Sequence, residues 1–95
     1  GDSEAENNLG CIYSDGLGVT RDYKEALKWF RKSALHGNAS GQLNLGLMYR
    51  DGHGVEKDHA EAAKWFFRAA EQGSADAEKE LAKLRSESSG LYRED

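Results

Sequence analysis

The chain repeats itself. Asn8-Leu-Gly-Cys-Ile-Tyr-Ser-Asp-Gly-Leu-Gly-Val19 returns 36 residues later as Asn44-Leu-Gly-Leu-Met-Tyr-Arg-Asp-Gly-His-Gly-Val55, and Trp29-Phe30 returns as Trp65-Phe66. A period between roughly 20 and 50 residues belongs to solenoids, in which a unit too small to bury its own apolar face stacks on its neighbours. Superposing residues 1–36 on 37–72 gives sixteen identities. A third unit opens at Gly73 with Ala75, Ala77, Leu81 and Ala82. It then departs, with Arg85 where the tyrosine recurs and Ser88 where the first loop glycine recurs. The expected organisation is a repeat over 1–36, a second over 37–72, a closing half repeat over 73–87 and a polar tail over 88–95.

Each full repeat reads as two helices. Asn38 is placed to cap a helix running to about Asp51, and Gly52 to end it. Gly52-His-Gly54 then turns the chain, a job for residues that accept positive φ at little cost. Asp58-x-x-Glu61 has the form of a capping box opening the next helix, and Asp22-x-x-Glu25 repeats it. Gly37 and Gly73 stand where the second helices stop. The apolar residues keep a period of 3.6: Leu45, Met48 and Tyr49 on one helix; Ala62, Trp65, Phe66, Ala69 and Ala70 on the other. Gly10 and Gly46 lie inside helices, where glycine costs about 1 kcal/mol relative to alanine. A cost paid twice points to close packing, with Ala26 and Ala62 as the small residues opposite. The Trp and Phe rings are expected to fill the space between helix pairs. The third unit supplies one amphipathic helix, about Ala75 to Ser86, with Ala77, Leu81 and Leu84 on one face and a polar outer side suited to a solenoid end. The tail beyond Ser86 is polar and expected to fray.

The pattern these residues form resembles the Sel1-like repeat, a relative of the tetratricopeptide repeat. Repeat 1 carries it at Ala5, Leu9, Gly10, Tyr13, Gly16, Gly18, Val19, Asp22, Ala26, Trp29, Ala34 and Gly37. Repeat 2 carries it at Leu45, Gly46, Tyr49, Gly52, Gly54, Val55, Asp58, Ala62, Trp65 and Gly73, with Gly41 in place of the early alanine. Thr20 and Glu56 replace a proline often found after Gly-Val, and the paired cysteines of the family's secreted cysteine-rich branch are missing. The resemblance implies an all-α, right-handed α/α superhelical solenoid of about five helices. It also implies adaptor or scaffold work in assembling membrane, envelope or signalling complexes.

Charge and chemistry narrow the function. The net charge is −4 and Lys and Arg are spread among acids. That argues against a nucleic-acid ligand, which needs concentrated cations to neutralise phosphates. No apolar run approaches the ~18 residues of a membrane-spanning helix, and Gly1 to Glu6 lacks the basic and apolar regions of a signal peptide. Compartment stays open between bacterial envelope and cytoplasm. The single Cys11 excludes an internal disulfide framework and a CxxC metal site. The Gly-x-Gly turns lack the preceding strand and third glycine of a dinucleotide loop. His53 and His59, near Asp51 and Asp58, have Leu17 and Tyr23 as their counterparts, so they read as solvated loop residues and no metal or cofactor is expected. His36 sits favourably at a helix C-terminus. No serine lies in a nucleophile-elbow pattern, Cys11 has no histidine at a motif spacing, and no catalytic residue is assigned.

Binding has the better physical basis. In stacks of this kind the first helix of each pair lines the concave side. With Gly10 turned to its partner helix, the opposite face carries Glu4, Asn7, Cys11, Ser14 and Asp15. Repeat 2 places Ser40, Leu43, Leu47, Arg50 and Asp51 there, and the third unit Asp76, Lys79 and Lys83. These positions mostly differ between copies while core positions match. The expected groove is Asn7, Cys11, Ser14, Leu43, Leu47, Arg50, Lys79 and Lys83, with Leu43 and Leu47 as an apolar anchor for a peptide or helix of a partner protein. Two alternatives stand beside it. Cysteine-rich relatives are associated with β-lactam or cell-wall binding, against which the missing cysteine pairs weigh. The segment alternatively serves as a spacer, or self-associates through open repeat ends.

Overall fold

The computed structural model describes residues 2–92, with side chains through Glu87. Five helices follow one another: α1 Ser3–Asp15, α2 Tyr23–Leu35, α3 Ala39–Asp51, α4 His59–Glu71 and α5 Ala75–Tyr92. Each packs on the next, and α1 also touches α3. The molecule measures 48 × 27 × 17 Å. Its least dimension is below two helix diameters of about 10–12 Å, the shape of a short stack with no central core. The all-α repeat fold expected from the period is the one observed.

The helix ends follow the sequence. Asp22, Asn38 and Asp58 cap α2, α3 and α4, each side chain accepting from a backbone N–H three residues on, at 3.1, 2.9 and 3.0 Å. The reciprocal half of the capping box is not made. Glu25 and Glu61 turn along their helices instead and accept from the indole N–H of Trp29 and Trp65, at 3.1 and 3.2 Å. An indole N–H beside a core needs a partner, and a carboxylate four residues earlier on the same face supplies one. Gly37 and Gly73 close α2 and α4 with φ near +90°, and the next residues, Asn38 and Ser74, donate back to Ser33 and Ala69. This is a Schellman ending. The α1–α2 and α3–α4 loops are pinned by equivalent backbone bonds, Asp22 N–H to the Tyr13 carbonyl and Asp58 N–H to the Tyr49 carbonyl, both 2.9 Å.

The helix-interior glycines admit aromatic rings. A Cβ at Gly10 would stand 2.5 Å from the Phe30 ring. One at Gly46 would stand 2.6 Å from the Phe66 ring and 3.2 Å from the Ala62 carbonyl oxygen. The close approach is therefore as much to a phenylalanine ring as to the expected alanines, although Ala26 and Ala62 are fully buried. Gly41 departs from the repeat for a similar reason: a Cβ there would lie 2.6 Å from Ser33 Cβ. Ser33 is buried and donates to the Ser3 carbonyl at 2.7 Å. At the next interface the counterparts are Ala69 and Ala77, both fully buried.

Two apolar clusters result. Ala26, Phe30, Ala34, Leu45, Met48 and Trp65 form the first, and Ala62, Phe66 and Leu84 the second. Trp65 reaches back into the cluster of the preceding repeat. Trp29, one period earlier, has no helix before α1 to reach among the described residues and is half-buried. The expectation that both tryptophans fill inter-pair space therefore holds for Trp65 alone. α5 runs on to Tyr92 rather than ending near Ser86. Ser86 to Ser89 contain neither Gly nor Pro, and Gly90 alone costs a helix only about 1 kcal/mol. Residues 93–95 of the expected tail lie outside the described residues.

Candidate functional site

α1 and α3 touch, and between them opens a cleft of about 300 Å³. Phe30 and Met48, both buried, form its floor; Cys11, Ser14 and Asp15 line it from α1; Asn44, Leu47 and Asp51 line it from α3. Tyr23 and His53 stand at its rim with rings stacked at 4.2 Å and 7°. Local geometry brings His53 there. Gly54 lets the second loop ride over the start of α2, since a Cβ on it would meet the Tyr23 carbonyl at 2.6 Å. His53 was expected as a solvated loop residue and is instead half-buried against a ring of the preceding repeat. His36 has a specific partner too, its Nδ1 lying 2.8 Å from Glu6 Oε1.

Of the expected groove residues, Cys11, Ser14 and Leu47 meet in this cleft. Asn7 is next to it, its side-chain oxygen accepting from Asn44 Nδ2 at 2.8 Å. Asn44 Nδ2 also points at Cys11 Sγ, 3.9 Å away. Ser14 Oγ lies 3.3 Å from the Cys11 carbonyl oxygen and 3.4 Å from Asp15 Oδ1, so its one proton serves either acceptor. Leu43 and Leu47 are not a free apolar spot. Both are half-buried and pack against the cluster of Ala62 and Phe66 from α4 and Leu84 from α5. Arg50 spans from α3 to α5, bonding Asp51 Oδ1 at 2.9 Å and Oδ2 at 3.2 Å through Nε and Nη2, and Glu80 Oε1 through Nη1. Lys79 and Lys83 lie exposed on α5, away from the cleft, with Lys83 Nζ 3.9 Å from Glu80. Asn44, Tyr23, His53, Phe30 and Met48 were missing from the expected set. Asn44 and Phe30 match their copies in the other repeat and so read as scaffold, while the other three sit on core or loop positions.

Two groups of the cleft have shifted protonation equilibria. Burial, and then the nearby Asp15 carboxylate, push the Cys11 thiol above its ordinary value. At neutral pH it is a protonated, poorly nucleophilic group. The hydrogen bond from Arg50 holds the Asp51 carboxyl below its ordinary range, with the charges of Arg50, His53 and Lys57 acting the same way and burial opposing. Among the described residues no group of three or more His, Cys, Asp and Glu is placed to hold a metal ion. None of the described helices is long and apolar enough to cross a membrane.

Comparison with known proteins agrees with the repeat fold. The Sel1 repeat pattern matches residues 3–38 and 39–74. A Sel1 repeat protein from Oxalobacter formigenes superposes with a TM-score of 0.88 at 41% identity, over 92% of this chain and 36% of that one. A protective antigen of uropathogenic Escherichia coli with an SLR fold gives 0.90 at 40% identity, over 93% and 19%. Helicobacter pylori cysteine rich protein B gives 0.75 at 32% identity, over 79% and 56%. In sequence, 42 residues are 48% identical to the rat (Rattus norvegicus) DAP3-binding cell death enhancer 1, covering 44% of this chain and 8% of that protein. The chain spans only part of each of these relatives.

Proposed function

The chain belongs to the Sel1 repeat family, and from that premise we propose that it is a non-catalytic adaptor module whose inner groove holds a segment of a partner protein. Sel1 repeats are generally protein-interaction modules and non-enzymatic scaffolds. One observation carries the finer reading. The glycine hinges, Phe30, Asn44 and the Asp15/Asp51 pair repeat between copies, while the rest of the lining does not: Cys11 answers to Leu47, Ser14 to Arg50, Met48 to Ile12, Tyr23 to His59 and His53 to Leu17. A surface that varies over an invariant frame is available for specificity. The name of the rat relative describes binding to another protein, and a protein partner is what we propose for this chain. The single, protonated Cys11 gives no support to the enzymatic alternative.

Panning a random dodecapeptide library against the chain, then following amide shifts with a selected peptide, tests the reading. Shifts are expected at Cys11, Ser14, Leu47 and Met48, and Leu47→Arg is expected to abolish selection while leaving the helical spectrum intact. Shifts confined to the outer faces of α2 and α4 around Trp29 and Trp65 would place binding elsewhere and sink the groove.

A further inference from the structure

Repeat 2 contains an arginine that repeat 1 lacks, and the cleft lies where its counterpart would be. In the 36-residue register, Arg50, Asp51 and Glu80 answer to Ser14, Asp15 and Asn44. Arg50 lays its guanidinium between Asp51, at 2.9 Å, and Glu80, joining the inner helix of one unit to that of the next. One period earlier the side chain is a hydroxymethyl group. The space between α1 and α3 stays open, lined by Cys11, Ser14, Asp15, Asn44, Leu47 and Met48.

The acceptors that such an arginine would use remain in place. Asp15 is exposed, and among the described residues no basic side chain pairs with it. Among the described residues its side chain has one hydrogen-bonding neighbour, the Ser14 hydroxyl. It also ends α1, whose last turn holds no basic residue, so its charge adds to the negative end of the helix dipole. Asn44 uses its amide group on Asn7 and Cys11, and no donor among the described residues reaches its Oδ1. Arg50 is committed to Asp51 and Glu80 and does not neutralise this end of the cleft.

We propose that the cleft takes an arginine side chain from an extended segment of the partner, reproducing in trans the contact that Arg50 makes within the chain. The guanidinium is held by Asp15 and Asn44 Oδ1, which line the same cleft from α1 and α3, as its planar fork of donors can serve acceptors on two helices. Its methylene stem lies along Leu47 and Met48. Size selects a side chain over a helix: about 300 Å³ is the low end for a small-molecule pocket, and a helix is about 10–12 Å across. The proposal rests on the inner-groove reading above and narrows the partner to a basic, extended segment.

The probe is a fluorescein-labelled nonapeptide with a central arginine flanked by alanine and leucine, set against the same peptide with citrulline, which keeps the shape and loses the charge. Binding is read by polarisation and by amide shifts at low salt. Shifts at Cys11, Ser14, Asp15, Asn44 and Leu47 are expected, with the citrulline peptide weaker by about tenfold or more, the scale of one charge-assisted contact. Asp15→Asn should bring the arginine peptide down to the citrulline level. Ser14→Arg, which supplies the guanidinium in cis, should block the arginine peptide while the helical spectrum is unchanged. Equal affinity of the two peptides, with shifts in the cleft, overturns the arginine and leaves the groove standing. Undiminished binding to a folded Ser14→Arg protein overturns it too. If neither peptide perturbs the cleft the arginine also fails, and the library selection decides separately whether the groove fails with it.

Discussion

At the scale of single residues, identical letters in the two copies do unequal work. Trp65 is 6% exposed and belongs to the cluster built from α2 and α3, whereas Trp29 is only half-buried. Truncating a buried Trp to Ala costs about 3–5 kcal/mol, and a half-buried one about half of that, since the transfer term scales with area removed from water. Trp65→Ala should therefore unfold the chain at 25 °C or nearly so, while Trp29→Ala should leave a cooperative but lowered urea transition. Equal losses for the two variants would contradict the stacking described. The asymmetry was not legible in the sequence. Both tryptophans carry the same neighbours, the same Glu four residues back and the same spacing, and only the helix that lies beside each one differs.

At the scale of elements, α5 is held to α3 by two devices of different kind. One is apolar, a cluster that joins Leu81 and Leu84 of α5 to Leu43 and Leu47 of α3 by way of Phe66 on α4. The other is the Asp51–Arg50–Glu80 bridge, whose contribution depends on pH. The Asp51 carboxyl is held below its ordinary range. A carboxyl depressed in the folded state adds stability above its unfolded pKa, about 4, and loses it as the pH falls through the lower folded value. With the Asp51 side chain 38% exposed, solvent screening keeps the effect small. Urea midpoints of the native chain and of Asp51→Asn should therefore differ at pH 7 and converge as the pH drops below about 4. A constant gap down to pH 2.5 would show that the bridge contributes nothing through this titration.

At the scale of the whole molecule, the two repeats are not separable. The first cluster draws on α2, α3 and α4, and the second on α3, α4 and α5, so a cut between residues 36 and 37 divides the first core, and α3 and α4 serve both. Repeat stability is a sum of unit and neighbour terms, and in so short a stack the neighbour terms dominate. Single-tryptophan variants Trp29→Phe and Trp65→Phe, each reporting from one repeat by fluorescence, should melt in urea with coincident midpoints once corrected to a common stability. Two resolved transitions would mean that the repeats unfold independently. The two ends also differ. Ala5, Leu9 and Ile12 answer to Gly41, Leu45 and Met48, which are buried in repeat 2, and are left partly open on α1. On α5, exposed Lys79 and Lys83 stand where repeat 2 has Leu43 and Leu47.

The sequence by itself determined the period, the helix pairs, their caps and the glycine hinges. Those depend on interactions within four residues and on a 36-residue pattern present twice in one chain. It also marked Cys11, Ser14 and Leu47, because residues that break a repeat stand out against residues that keep it. Only the tertiary structure decided which inner-face residues remain free. Leu43 and Arg50 were read as exposed and are engaged by α5, and Leu47 divides between the second cluster and the cleft. Asn44, hidden among the identities, faces the cleft, and His53 leaves solvent for the ring of Tyr23. Each of these depends on a neighbour 30 or more residues away in the chain, and a helical period says which face a residue is on without saying what that face meets.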